Sequence, residues 1–217
     1  MKQYELVIFD WDGTLMDSVG KIVSCMQESA LTLNMSMPTE QAVRDIIGLS
    51  MDEALGVLHP AASAELVAEM KQVYRQQYLT LNQTPSPLFE GVEDLLTTLN
   101  GRGYKLAVAT GKARAGLDRV LSATELGGYF VASRCADEAA SKPSPEMILQ
   151  LLNELDVSPD KAVMIGDSIL DLKMANNAGI DAIGVDYGAH DKEKLRQAKP
   201  KAVIGSPMEL LQYLTSS

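Results

Sequence analysis

The stretch Leu6-Val7-Ile8-Phe9-Asp10-Trp11-Asp12-Gly13-Thr14 decides the fold. Its four apolar residues form a run too short for a helical core. They read as a strand buried on both faces, the kind found in parallel sheets. Further runs repeat the arrangement. Leu106-Ala107-Val108-Ala109 ends in Thr110-Gly111, and Ala162-Val163-Met164-Ile165 in Gly166-Asp167. Ala182-Ile183-Gly184-Val185 ends in Asp186, and Ala202-Val203-Ile204 in Gly205. Helical patterns lie between them. Val92, Leu95, Leu96 and Leu99 follow the i, i+3, i+4, i+7 spacing, as do Ile148, Leu151, Leu152 and Leu155. Ser144 is the predicted N-cap of the second helix and Pro145 its first helical residue. This alternation predicts an α/β fold with a doubly wound, Rossmann-like parallel sheet as its core.

One segment breaks the alternation. Residues 17–81 carry helical patterns and no strand signal. Val19, Ile22, Val23, Met26, Ala30 and Leu33 make one apolar face. Val43, Ile46 and Ile47 make a second, and Leu66, Val67, Met70, Val73 and Tyr74 a third. Thr84-Pro85-Ser86-Pro87 then reads as a linker, because the residue before a proline is pushed toward extended backbone. The expected organisation is an all-helical cap domain at residues 16–85, inserted into a core made of residues 1–15 and 86–217.

Composition narrows the function. The chain has 217 residues, with Lys+Arg 19 against Asp+Glu 29, a formal charge of −10. That argues against a general binder of nucleic acid or anionic membrane, which needs a net basic surface. A locally basic pocket for a small phosphorylated metabolite stays open. The 2 cysteines, Cys25 and Cys135, are far apart, so a disulfide framework is not expected. With 2 histidines, His59 and His190, neither a zinc site nor a Ser-His-Asp triad is expected. No apolar run approaches the roughly 18 residues of a membrane span. Glu5 and Asp10 interrupt any signal-peptide core. The expectation is a cytoplasmic protein without membrane or nucleic-acid partners, acting as a monomer or homodimer.

In open α/β sheets, ligands bind at the carboxyl ends of strands. The predicted topology therefore brings Asp10, Asp12, Thr110, Lys142, Asp167 and Asp171 together. Two unit charges about 4 Å apart repel by roughly 4 kcal/mol at an effective dielectric of 20. Gathered carboxylates thus call for a cation. An all-oxygen donor set selects a hard one, Mg²⁺. Each motif alone has a plainer reading. Asp-x-Asp-Gly-Thr can be a polar turn, Thr110-Gly111-Lys112 an ordinary strand end, and Gly166-Asp167 with Asp171 a capping turn. Their order and their placement at strand ends favour chemistry.

Four ordered segments resemble the haloacid-dehalogenase-like hydrolase superfamily: Phe9-Asp10-Trp11-Asp12-Gly13-Thr14-Leu15, Ala109-Thr110-Gly111, Lys142-Pro143 and Gly166-Asp167-Ser168-Ile169-Leu170-Asp171. Leu88-Phe89-Glu90-Gly91-Val92 and Gly48-Leu49-Ser50 look like phosphoglycolate phosphatase-like members with a helical cap. Trp11 departs from the commoner Phe or Leu in a slot that is apolar in any case. The resemblance implies that Asp10 attacks phosphorus and that Asp12 serves as acid and then base, which needs a neutral carboxyl at the first step. It also implies that Asp10, the backbone carbonyl of Asp12, and Asp167 hold Mg²⁺. Thr110 and Gly111 would contact the phosphoryl group, Lys142 would offset its charge, and Asp171 would orient Lys142 or a metal-bound water. Lys112 and Arg44 are the candidate substrate-binding residues, Arg44 standing four residues before Gly48. Hinges are expected at residues 14–18 and 84–88, and cap methionines such as Met26, Met51 and Met70 are expected to pack.

The implied activity is a Mg²⁺-dependent phosphatase forming an aspartyl-phosphate, with 2-phosphoglycolate as a candidate substrate. Sugar phosphates, nucleotides or pyrophosphate are alternatives, as is a β-phosphoglucomutase-like phosphomutase. A dehalogenase is disfavoured because Asp12 is present, and a non-enzymatic role because no core catalytic position is lost.

Overall fold

The computed structural model describes residues 4–214. The outermost parts of the expected core, residues 1–3 and 215–217, lie outside the described residues. Six strands form one sheet: β1 (Leu6–Phe9), β2 (Lys105–Ala109), β3 (Ala132–Arg134), β4 (Ala162–Gly166), β5 (Asp181–Val185) and β6 (Ala202–Ile204). Their order is β3-β2-β1-β4-β5-β6, and every neighbouring pair is parallel. The order reverses at β1, which puts a crevice at the carboxyl ends of β1 and β4.

Successive strand residues face opposite sides of the sheet. Val7, Phe9, Leu106, Val108, Val163 and Ile165 join one apolar cluster. Leu6, Ile8, Ala107, Ala109, Ala162 and Met164 join the other. Four helices come first in the chain, all between β1 and β2: α1 (Val19–Thr32), α2 (Glu40–Ile46), α3 (Met51–Leu58) and α4 (Ala64–Gln76). A five-residue π-helix, Gln77–Leu81, continues α4. Then follow α5 (Val92–Gly101), α6 (Arg114–Thr124), α7 (Glu146–Leu155), α8 (Ile169–Ala178) and α9 (Lys192–Arg196). Apolar residues of α5 and α6 fill the first cluster, and those of α7, α8 and α9 the second.

Helices α1–α4 pack on one another through a third cluster that includes Val19, Ile22, Met26, Val43, Ile46, Leu55 and Met70. Met70 is buried there, whereas Met37 is exposed. A short bridge between Met16 and Leu88 joins the two chain crossings into this helical segment.

Two local expectations shift. Strand β3 has no apolar run to announce it. It is an edge strand of three half-buried residues, Ala132, Ser133 and Arg134. Helix α7 begins at Glu146, one residue later than expected. Pro145 holds the cap position with no side-chain cap, while the Ser144 hydroxyl accepts a 3.4 Å hydrogen bond from the Glu146 amide. Among the described residues no helix is long and apolar enough to cross a membrane. Cys25 and Cys135 are both free and buried.

Leu151 of α7 is fully buried against the sheet. Leu151→Ala is expected to cost about 2–5 kcal/mol in urea-induced unfolding. A cost below about 1 kcal/mol would show that this face does not carry the core.

Candidate active site

The crevice at the strand ends gathers the acidic residues. Asp10 follows β1, and its amide donates to the Ile165 carbonyl of β4 at 2.9 Å, so the sheet itself holds its backbone. Asp167 follows β4, and Asp171 lies in the first turn of α8. Candidate ligand oxygens of Asp10, Asp167 and Asp171 all lie within 4.8 Å of one another, and all three residues are buried. The Lys142 ammonium stands among them, 2.9 Å from Asp10 Oδ1 and 2.6 Å from Asp171 Oδ1. Burial alone would lower the Lys142 ammonium, but Asp10 and Asp171 outweigh it and hold it above its ordinary value.

Asp171 is committed to its neighbours. Its Oδ1 accepts from Lys142, and its Oδ2 accepts from the Ser168 amide at 3.0 Å and the Ser168 hydroxyl at 2.6 Å. Ser168 and Asp171 make a capping box at the start of α8. Its two oxygens thus meet Lys142 on one side and Ser168 on the other.

Asp167 is gripped from both sides. Thr14 donates its hydroxyl to Oδ1 at 2.8 Å, and the Ala189 amide donates to Oδ2 at 2.7 Å. The grip depends on two glycines. A Cβ on Gly13, whose φ is +76°, would stand 2.0 Å from Asp167 Oδ2, and one on Gly188 would stand 2.4 Å from the same oxygen. Burial pushes the Asp167 carboxyl well up, and Asp171 and Asp10 push it further. Burial likewise pushes Asp10 up to about 7, with Lys142 opposing and Asp171 and Asp12 adding to the rise.

These features fit a hard divalent cation. Every donor is an oxygen, and the cradle around Asp167 leaves no room for a side chain. Asp10 Oδ1 is buried with no hydrogen bond of good geometry, although it faces Lys142. Asp10 and Asp167 are the two carboxylates free to share such an ion, because Asp171 is occupied by Lys142 and Ser168.

The other half of the site faces a cavity of about 600 Å³ between the sheet ends and the helical segment. Asp10, Asp12, Thr110, Gly111 and Lys112 line it from the core. Thr110 is buried, and its Oγ1 accepts from the Lys112 amide at 3.2 Å, which leaves the hydroxyl proton uncommitted. Asp12 Oδ1 accepts a 2.6 Å hydrogen bond from the Ser18 hydroxyl, and Asp12 Oδ2 lies 2.9 Å from Lys112 Nζ. Trp11 is fully buried and meets Phe130 edge-on, with ring centroids 6.3 Å apart. Its slot is apolar, as expected, although the indole Nε1 has no partner.

Arg44 is not brought to the cavity. It sits in the last turn of α2 with its guanidinium turned outward, 2.8 Å from Glu40 and 3.3 Å from the Gly188 carbonyl. The cap instead presents Ile47, Gly48, Leu49 and Ser50 over the site. A Cβ on Gly111 would come within 2.6 Å of the Gly48 carbonyl oxygen, so backbone meets backbone at the mouth. The Ser50 amide donates to Ser141 Oγ at 2.9 Å, and Asp45 of α2 meets Lys194 of α9 at 2.6 Å. Met26 and Met51 line the cavity rather than only filling space between helices.

Sequence reasoning did not single out Ser18, Thr14 or the 188–190 loop as working parts. The loop follows the carboxyl end of β5, so the strand-end rule points at it. Its Gly188 and Ala189 carry no chemistry in their side chains, so a search for reactive residues reaches only His190 there.

A family model described as haloacid dehalogenase-like hydrolase matches residues 7–185. "Probable phosphatase IndB" of Dickeya dadantii is 38% identical over 212 residues, covering 95% of this chain and 91% of that protein. A phosphoglycolate phosphatase of Vibrio vulnificus is 29% identical over 224 residues, covering 100% of this chain and 98% of the relative. Among solved structures, a hydrolase from Pseudomonas syringae superposes with a TM-score of 0.87 at 26% identity, covering 97% of this chain and 99% of that one.

Removing the buried counter-ion tests the charge balance. Lys142→Met leaves Asp10 and Asp171 uncompensated and is expected to destabilise the metal-free protein by about 3–5 kcal/mol in urea. A loss under about 1 kcal/mol would refute that role. The pH dependence has a defined sign as well. A carboxyl raised to about 7 in the folded chain, against roughly 3.9 unfolded, contributes stability below about pH 4 that is lost as pH rises through 7. The urea midpoint of metal-free protein is expected to fall between about pH 5 and 8, less steeply in Asp10→Asn. A flat or rising midpoint would overturn the assignment.

Proposed function

The chain belongs to the haloacid dehalogenase-like hydrolases, and its relatives make it a phosphatase. On that footing we propose that it hydrolyses a small organic phosphate monoester in a Mg²⁺-dependent reaction through an aspartyl-phosphate on Asp10. The observation that carries this reading is Asp10 itself. It is a buried carboxylate at the carboxyl end of the central strand, facing both the cavity and the Lys142 ammonium at 2.9 Å.

Asp10, Asp167 and the backbone carbonyl of Asp12 would hold the Mg²⁺, which supplies Lewis-acid neutralisation of phosphoryl charge. An Asp10 oxygen attacks phosphorus while the bond to the alcohol oxygen breaks. Lys142 keeps Asp10 ionised and offsets charge building on the transferring group. The uncommitted Thr110 hydroxyl proton and the Gly111 amide donate to phosphoryl oxygens. Asp12 gives its proton to the departing alcohol and later takes one from the water that hydrolyses the aspartyl-phosphate. Lys112 exchanges Asp12 for a phosphoryl oxygen as substrate enters, which releases Asp12 for its work at the departing alcohol. Its ammonium is already inside the cleft, 2.9 Å from Asp12, so the exchange needs only a short swing.

In this reading residues 16–85 act as the cap, swinging at residues 14–18 and 84–88 to admit substrate and exclude water. Residues 1–15 and 86–217 hold the chemistry. Two free buried cysteines support a cytoplasmic setting.

The test is phosphate release from a generic monoester with and without Mg²⁺. Asp10→Asn is expected to abolish it, and full activity in that variant would remove Asp10 as nucleophile. Asp12→Ala is expected to lower kcat by about 10²–10⁴-fold with an alkyl leaving group. Turnover equal to the parent would refute acid catalysis by Asp12.

A further inference from the structure

The cavity is far larger than a two-carbon substrate needs, and Arg75 and Arg119 line it beside the acidic Asp52 and Asp137. Its cap wall is apolar where Ile22, Met26, Leu49, Met51 and Tyr74 line it. A volume near 600 Å³ falls within the range of pockets that enclose ligands the size of a drug molecule. A two-carbon phosphorylated acid would leave most of that apolar wall in contact with water.

Tyr78 lines the same cavity. It lies in the π-helix that continues α4, a wide helical turn of a kind frequent at functional sites. Three cations surround its ring: Lys21 Nζ at 5.1 Å, Lys112 Nζ at 5.2 Å and Arg119 Cζ at 5.5 Å from the centroid. Lys112 is paired with Asp12. Among the described residues no carboxylate pairs with Arg119 of α6, and none with Arg75 of α4 at the same cavity. The ring face accommodates like charges that would otherwise repel, but does not neutralise them. Asp52 and Asp137 line the cavity too, but Asp52 meets Lys71 and Asp137 accepts from the Arg114 amide, so neither pairs with the two guanidinium groups.

We infer that Arg119, with Arg75 across the cleft and Tyr78 as a platform, forms a subsite for a second anionic group of the substrate. The preferred substrate is then a phosphate monoester of a bulky alcohol that carries an apolar or aromatic face and ends in a carboxylate or second phosphate. This rests on the phosphatase reading above and specifies its substrate class. Guanidinium is suited to the task because its planar fork matches the two oxygens of such a group. Lys112 bridges the two ends, 2.9 Å from Asp12 and 5.2 Å from the Tyr78 ring.

The experiment compares kcat/KM for phenyl phosphate, 4-carboxyphenyl phosphate and 2-phosphoglycolate, in the wild type and in Arg119→Met and Arg119→Lys, all with Mg²⁺. The ratio of the two aryl esters on one preparation cancels differences in active fraction, and its change between variants cancels leaving-group chemistry. The wild type is expected to favour 4-carboxyphenyl phosphate over both other compounds. Arg119→Met is expected to cut the aryl ratio about tenfold, through KM rather than kcat, and Arg119→Lys to restore much of it. An unchanged ratio in Arg119→Met overturns the subsite, and 2-phosphoglycolate as the best substrate overturns the bulky-alcohol class. Hydrolysis of none of the three overturns the phosphatase reading itself.

Discussion

Four carboxylates and two ammonium groups crowd the carboxyl ends of β1 and β4, and the rest of the molecule is arranged around that imbalance. Asp10, Asp12, Asp167 and Asp171 bring −4, and Lys112 and Lys142 bring +2, which leaves −2. Charge of that size in a buried place costs several kcal/mol per ion unless it is met. Each oxygen is therefore assigned. Asp171 is consumed by Lys142 and Ser168, Asp167 is held by Thr14 and Ala189, and Asp12 is held by Ser18 and Lys112. What is left over is a residue of charge that a divalent cation matches, next to the one carboxylate, Asp10, with an oxygen lacking a good hydrogen bond. The raised carboxyls of Asp10 and Asp167 express the same fact, because protonation is the other way to relieve the repulsion.

The cap is fastened to the parts that hold this centre. Gly48 lies against Gly111 and above Ser168 and Lys142, where any added Cβ would meet atoms already in place. Helix α2 reaches the 188–194 segment through Arg44 and Asp45, and that segment also supplies the Ala189 amide that grips Asp167. His190 joins the two, accepting from the Ile169 amide at 3.0 Å and facing Asp45 at 3.3 Å. Lifting α2 would disturb contacts one residue from an Asp167 hydrogen bond, so cap position and metal-site geometry share their supports. Arg44 thus acts at the cap–core seam instead of in the cleft, through its contact with the Gly188 carbonyl.

Much of this was legible in the sequence because it is written in strong local signals. Buried parallel strands must be apolar on both faces, so β1, β2, β4, β5 and β6 stand out as short runs. The acidic turns after them are conspicuous because a buried strand does not end in clustered carboxylates by default. β3 was not legible, since an edge strand with Ser133 and Arg134 needs only one apolar face and only three residues. The one-residue shift at α7 has the same origin, since Ser144 and Pro145 both carry start signals and only packing chooses between them. The fate of Arg44 could not be read either. It lies four residues before Gly48 in the chain, but α2 ends at Ile46, and the turn that follows sends residues 47–50 inward and leaves Arg44 outside.

Side-chain pairings between the helical segment and the sheet ends are the least legible layer. Nothing in the sequence suggests that Tyr78 meets Lys112 and Arg119, because it comes from a part of the chain more than thirty residues away. They meet because α4 runs on into a π-helix that carries Tyr78 to the loop after β2 and to the first turns of α6. Net charge illustrates the limit from the other side. A total of −10 argues against a polyanion-binding surface, yet the field inside a cleft is set by the few groups that line it. Arg75 and Arg119 face the same cavity as Asp52 and Asp137, so what enters meets a pattern of local charges that the total for the chain does not report.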